Sequence, residues 1–414
     1  MTVHALVFAD AAAGTPVVAG VPVLERLMRT LARAGVTHAV LTSVGPESLD
    51  GALARDPWAR AGLDVVRRGG TAGPPRVEDV REAWPEGSSH ALVIPSPGIA
   101  DTRALKALVR SPAPAALVAT TAAGPRALGP AWLDRRALDG RSGDLASAVA
   151  AAITDGTLVS VDLARVPASL PSMRRSLRPY WLVAPPTEAD RRRAEDVLVE
   201  AAQKKALDFP AYAHAPVEDA IVRAVWGTRL TPNQVSLLGN VVAWTATGLF
   251  AGGRLGWAIV LALVVGVLDG VDGKLARVKV ETSPAGRLEH WFDTFFEVSW
   301  AVALAFHLAR SGARPDAWWL LGLLLGAEAL DGVAKGAIIL RYGRQIDDVA
   351  PLDRLIRLVG GRRNVYVWIM AAGIAAGRGG DAFAWVAGWE ACTAVVHLLR
   401  AAWLLARPRP LSAD

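Results

Sequence analysis

The chain has 414 residues, enough for two or three domains, and its 52% hydrophobic content and mean hydropathy of +0.30 are high for a wholly soluble protein. A net charge of +6 and a pI of about 9.8 come without any basic nucleic-acid motif; the Arg and Lys residues cluster beside apolar segments, where they suit anionic headgroups, so nucleic acid is excluded as a partner. The lone cysteine, Cys392, excludes an intrachain disulfide and a Cys-based zinc cluster, and is expected to be a packing residue.

Residues 1–185 alternate short apolar runs with helical patterns, which predicts a cytosolic α/β domain of Rossmann-like type with a parallel sheet. The runs at 4–9, 38–43, 90–95 and 115–120 are strand candidates, and 21–35 is an amphipathic helix closed by Gly35. The first residues lack the basic start and long apolar core of a signal peptide, so this domain is expected to stay in the cytoplasm. The opening strand, the loop through Gly14, then Gly20-Val21-Pro22-Val23-Leu24 and Ala34-Gly35-Val36 resemble a sugar-phosphate nucleotidyltransferase domain. That resemblance implies a Gly-rich loop with a basic residue and an acidic metal ligand at the end of a later strand. The loop from Ala9 to Pro16 has one Gly and no basic residue, and Pro95-Ser96-Pro97 stand where the acid belongs. Close backbone N–H groups and positive charge are what a triphosphate needs, so the domain is read as degenerate and catalytically silent. Asp10 and Asp101 are read as cap or loop residues.

Residues 140–186 form a Pro-interrupted exit with a basic run at 173–178 suited to a membrane surface or a solvated linker. Residues 186–230 follow as linker and juxtamembrane helices: 187–209, with Thr187 as N-cap and Lys204-Lys205 late, and the amphipathic 218–230.

Residues 231–406 are read as an all-α, six-helix integral-membrane domain with spans near 234–252, 256–276, 288–310, 316–340, 364–378 and 381–405. Arg277, Lys279 and Arg287, then Arg341, Arg344, Arg354, Arg357, Arg362 and Arg363, crowd the connections after spans two and four, whereas the opposite connections carry only Arg254, Arg310, Arg314 and Arg378. The positive-inside rule therefore predicts a multi-pass protein of the cell membrane with those connections in the cytoplasm. The Trp residues suit interfacial belts, and Asp331 and Lys335, at i and i+4, suit a structural ion pair.

Acids concentrate at the cytoplasmic ends of spans two and three. Asp269, Asp272 and Ala276 lie at i, i+3 and i+7, so the two carboxylates share one helix face with a small residue beyond. Glu289, Asp293 and Glu297 repeat at i, i+4 and i+8 on the next helix. Ionisable groups at membrane depth persist when they pair, bind metal or line a wet cavity, which makes this cluster the candidate site.

These residues resemble the CDP-alcohol phosphotransferase family, whose pattern is D-x-x-D-G-x-x-A-R, eight residues, then G-x-x-x-D-x-x-x-D. Asp269, Asp272, Gly273, Ala276, Arg277 and Gly286 match it, spacer included. Beyond Gly286 strict counting meets His290 and Thr294, with Glu289 and Asp293 one position early, a register we read as a one-residue deletion. The resemblance covers about 204–405 and is supported by Thr231-Pro232-Asn233 at the first span and Ser283-Pro284-Ala285-Gly286 before the third. It implies that Asp269, Asp272, Glu289 and Asp293 hold two divalent ions, Mg²⁺ or Mn²⁺, and that Asp293 is the general base. It also implies that Gly273, Ala276, Arg277, Ser283 and Asn233 meet the substrate, and that the protein is a homodimer among membrane lipids. Arg362-Arg363-Asn364 is read as meeting an anionic acceptor group or as a basic anchor.

The expected function is transfer of a phospho-alcohol group from a CDP-alcohol donor to a hydroxyl acceptor with release of CMP, in phospholipid or polar-lipid synthesis. Two alternatives stand beside it. One is a bifunctional cytidylyltransferase and transferase acting on inositol-phosphate-like substrates; the other is a non-catalytic membrane scaffold.

Overall fold

A computed structural model describes residues 2–9, 16–45, 49, 52–53, 57–170, 173, 175–204, 208–281 and 286–406, with the backbone alone for 286–294. Asp10, Gly14, Lys205 and Ser283 lie outside the described residues, as do the side chains of Arg287, Glu289, His290, Asp293 and Thr294. The chain divides into two compact units: Met1–Lys204 with Val225–Arg229 and Leu275–Ser283, and Lys205–Ala224 with Leu230–Lys274 and Pro284–Asp414.

In the first unit the four apolar runs form the strands expected of them, β1 (Val3–Phe8), β2 (Val36–Ser43), β4 (His90–Ile94) and β5 (Ala115–Thr121), and three strands not expected join them, β3 (Asp64–Gly69), β6 (Gly124–Asp134) and β7 (Val159–Asp162). They make one seven-stranded sheet in the order β7-β5-β6-β4-β1-β2-β3. The sheet is mixed, not wholly parallel as expected, because β6 returns from β5 through a tight turn and runs antiparallel to both β5 and β4. Helices α1 (Val23–Ala34), α2 (Val77–Glu82), α3 (Thr102–Arg110) and α4 (Leu145–Thr154) complete a three-layer fold. Leu24, Leu27 and Leu31 of α1 and Leu105 and Leu108 of α3 pack on Ala5, Val7, Leu92 and Ile94, while Val80 of α2 and Val149 of α4 join Leu6, Phe8 and Val93. The helix α1 ends as expected at Gly35, whose φ of 97° supplies the left-handed cap. Asp101 caps α3 by accepting from the Arg103 amide at 2.8 Å, so the cap reading holds there.

The basic exit is more ordered than its composition suggested. Ser169–Leu170 pairs with Arg175–Ser176, and Trp181–Val183 adds antiparallel to Gly98–Ala100. Helix α5 (Glu188–Ala202) has the expected Thr187 N-cap but stops short of residue 209. Its last carbonyls are taken by Arg175, donating to Glu200 O at 2.6 Å and Gln203 O at 2.9 Å, and by Arg277 Nε, donating to Ala202 O at 2.6 Å. Guanidinium groups thus terminate the helix where the sequence suggested lysines.

The Leu275–Ser283 segment is gripped within this unit. Arg26, fully buried, donates to Val18 O at 2.7 Å and to Val278 O; burial lowers its guanidinium to about 10, so it stays charged at neutral pH. Arg29 donates to Lys279 O at 2.9 Å and pairs with Glu281 at 2.8 Å. Val280 sits at φ +58°, an outlier for a β-branched residue, held by these flanking bonds. A second tight point is Gly20, at φ +75°, where a Cβ would collide with the Trp226 carbonyl oxygen. Gly20→Ala is therefore expected to destabilise the chain by about 2–4 kcal/mol, a drop of several degrees in thermal melting; an unchanged melting temperature would refute it.

The second unit is helical: α6 (Phe209–Val225), α7 (Pro232–Ala251), α8 (Leu255–Lys279), α9 (Gly286–Arg310), α10 (Ala317–Tyr342), α11 (Pro351–Val359), α12 (Arg363–Ala375) and α13 (Gly379–Leu405). α8 runs on through the first-unit segment at its end. α7 opens on Thr231, Pro232 at N1 and Gln234, a reciprocal capping box. Two helices, α8 and α13, are long and apolar enough to cross a bilayer among the described residues. Their neighbours α7, α9 and α10 have 20, 25 and 26 residues. The core is built from Phe250, Trp300, Phe383 and Met370, with Gly373 allowing α12 to touch Ala382 of α13. Large apolar side chains also point outward, among them Leu340 at 90% and Trp319 at 82% exposure.

One expectation is corrected here. Cys392 is exposed, because α13 turns Glu390, Thr393, Ala394 and His397 inward and leaves Cys392 on the outer face. The basic connection after α10 contains a helix, α11, that buries its Asp353 and Arg357 and exposes Leu352, Leu355 and Val359. Asp353 takes a two-pronged pair from Arg400 at 2.7 and 2.9 Å, which explains why the charged side faces inward.

Candidate functional site

The three-residue spacing of Asp269 and Asp272 puts both on the face of α8 that meets α7. With Ser236, Gly239, Asn240 and Val235 of α7 and Phe296 of α9 they line a cavity of about 30 Å³, the space of one water or one ion. Asp272 is buried and accepts from Ser236 Oγ at 2.6 Å. Asp269 is more open, and its Oδ2 accepts from Arg363 Nη2 at 2.9 Å. The same guanidinium lies 3.6 Å from Glu297, so the start of α12 ties the acids of α8 and α9 together. Ser236 and Asn240 were not singled out from sequence, although two polar residues at i and i+4 on an apolar helix were the available signal.

Gly273 and Ala276 are half-buried on α8, and Asn233 is exposed in the first turn of α7. Arg277 is the capping donor to Ala202 already described. Glu289 and Asp293 belong to α9 by backbone, and their side chains, like Ser283, lie outside the described residues. Among the described residues no three His, Cys, Asp or Glu converge as a metal centre. Asp269 and Asp272, with Ser236 and Asn240 opposite, offer oxygen donors only, the set that suits a hard cation such as Mg²⁺ or Mn²⁺.

The other side of α8 is occupied by α6. Gly266 and Gly270 leave room for the His214 ring and the Glu218 carboxylate. Lys274, 1% exposed, completes that stripe by pairing with Glu218 at 3.0 Å and Asp219 at 2.5 Å. Burial lowers the His214 imidazole, against the pull of Glu218 and Asp208, so it is neutral at pH 7 and stacks near Trp368.

A second, polar cavity of about 380 Å³ is lined by Arg362, Arg363, Asn364, Lys335, Glu297, Glu328, Asp331, Glu390, Tyr366 and Asp208. Tyr366 Oη donates to Glu390 at 2.5 Å, and Asn364 donates to Asp208 at 3.4 Å. Arg363 joins the two cavities: it lines this one and bonds Asp269 of the other. Asp331 and Lys335 pair as expected; Glu328 and Glu390, also inside apolar helices, were legible by the same rule but not read.

Residues 229–396 match the CDP-alcohol phosphatidyltransferase family. Over 149 residues the chain is 34% identical to a bifunctional IPC transferase and DIPP synthase of Rubrobacter xylanophilus, a match covering 35% of this chain. The chain spans about a third (31%) of that relative's length.

Proposed function

We propose, from the match of residues 229–396 to the CDP-alcohol phosphatidyltransferase family, that the chain is an integral-membrane phosphotransferase that moves a phospho-alcohol group from a CDP-alcohol to a hydroxyl acceptor. The observation that carries this reading is the pair Asp269 and Asp272 on one face of α8, lining a cavity of ion size beside Ser236 and Asn240. Asp269, Asp272, Glu289 and Asp293 would hold the divalent ions, which neutralise charge on the transferring phosphate and on departing CMP. The acceptor hydroxyl attacks the β-phosphorus, the bond to CMP breaks, and the hydroxyl proton passes to Asp293. Gly273 and Ala276 leave room for the nucleotide, and Arg277, Ser283 and Asn233 complete the donor site.

The polar cavity is the natural acceptor site. Arg362, Arg363 and Lys335 supply positive charge, and the surrounding acids and Asn364 supply acceptors for hydroxyl groups, a lining suited to a phosphorylated polyol and ill suited to acyl chains. Arg363 then links acceptor to metal-binding carboxylate. Six membrane crossings, α7 to α10, α12 and α13, with the site at the cytoplasmic side, account for the outward apolar side chains and the distribution of arginines.

A second reading, in which the first unit also makes the CDP-activated substrate, draws support from the relative's bifunctional name and from the β1–β4 neighbourhood, where strand order reverses and α/β sheets bind ligands. It predicts CTP-dependent pyrophosphate release by the full chain.

The deciding experiment supplies purified full-length protein with Mg²⁺ and a panel of lipid and soluble CDP-alcohols and acceptors, and measures CMP. Release abolished by EDTA and by Asp293→Asn is expected; folded, metal-supplied protein that frees no CMP from any donor would favour the scaffold instead.

A further inference from the structure

Two cations of the polar cavity, Arg362 and Lys335, come from different elements, yet each is held by an aspartate that faces the same histidine. Lys335 pairs with Asp331, whose other oxygen lies 2.5 Å from His397 Nδ1. Arg362 Nη2 donates at 3.2 Å to Oδ2 of Asp347, which also takes Arg357. Asp347 is 1% exposed, and its Oδ1 accepts no hydrogen bond from a described residue; His397 Nε2 lies 3.9 Å from it. His397 is itself buried and does not line the cavity.

We infer that His397 is a positioning residue for the acceptor site, bridging Asp331 and Asp347 so that Lys335 and Arg362 are set in one fixed spacing for an anionic group. The inference rests on the acceptor site proposed above and deepens it. A ring whose two nitrogens face two carboxylates keeps them apart in one geometry, whereas removing it leaves two buried acids to draw on the cavity cations instead. Asp331 and Asp347 lie 66 and 50 residues before His397, Asp331 on α10, Asp347 in the short 3-10 turn Ile346–Asp348 that follows it, and His397 on α13.

The test uses the full-length chain in detergent with glycerol 3-phosphate as probe, by calorimetry, alongside KM values for acceptor and donor. His397→Asn and Asp347→Asn are each expected to raise the probe's Kd and the acceptor KM about tenfold, to change the donor KM by less than about twofold, and to be non-additive when combined. A merely structural role would lower stability and affect both substrates alike. Should His397→Asn not fold, His397→Gln, which keeps one donor towards Asp331, carries the same expectation. Unchanged acceptor binding in the folded variants overturns the inference and leaves the phosphotransfer reading standing. Probe affinity lost in the variants of a wild-type chain that frees no CMP sinks that reading and leaves the inference standing.

Discussion

Asp272→Asn is expected to reduce CMP release by about a thousandfold or more while leaving the fold intact. The substitution keeps the shape of a side chain that is only 5% exposed, and the Asn carbonyl can still accept from Ser236 Oγ, now 2.6 Å from Asp272 Oδ2. What it removes is the negative charge on the wall of an ion-sized cavity that Asp269 shares. A neutral ligand there cannot offset a divalent cation, so loss should fall on turnover and on the Mg²⁺ concentration needed for half-activity. Ser236→Ala is the informative contrast. It removes a hydrogen bond and no charge, and should cost tenfold or less. An Asp272→Asn variant that retains a tenth of wild-type CMP release would remove this carboxylate from the proposed metal ligands.

Much of this was legible in the sequence because the features were local. The capping box at Thr231 to Gln234, Gly35 closing α1, the paired carboxylates of α8 and the Asp331–Lys335 pair all lie within one or two helical turns. The strand β6 was hidden by its own composition: Gly124, Pro125, Gly129 and Pro130 break the alternation that marks a strand, and its place between β4 and β5 depends on pairing partners far away. The helix α11 was hidden for the opposite reason. Asp353 and Arg357 face inward towards Arg400 and Asp347 while Leu352, Leu355 and Val359 face out, so the apolar pattern that marks a helix's buried face is on its outer side. His397 could not be read at all, and Arg363 only as a basic residue for an anionic group or an anchor, since each matters through residues that the tertiary fold brings to it: Asp331 and Asp347 for one, Asp269 and Glu297 for the other.

Lys274→Ala is expected to be the most destabilising change on α8, at about 3–5 kcal/mol, visible as a loss of folded protein or a marked drop in melting temperature. Lys274 is 1% exposed and its ammonium is shared between Glu218 at 3.0 Å, Asp219 at 2.5 Å and the Ala215 carbonyl at 3.2 Å. Asp219 is 38% exposed and can turn to water, so the penalty falls chiefly on Glu218, whose carboxylate is 10% exposed and lies against Gly270. The loss is therefore one of stranding a buried acid, not of forfeiting an attraction. On that account Lys274→Met with Glu218→Leu should regain most of the stability, because an apolar pair of similar volume leaves no uncompensated charge. Lys274→Met alone should not. The residue adjoins Gly273 and Asp272, so CMP release by the double variant, assayed below its melting temperature, separates anchoring of α6 from the chemistry: activity near wild type assigns the pair to anchoring. A Lys274→Ala protein that melts within a degree of wild type would show that Glu218 finds other partners and that this contact does not hold α6 to α8.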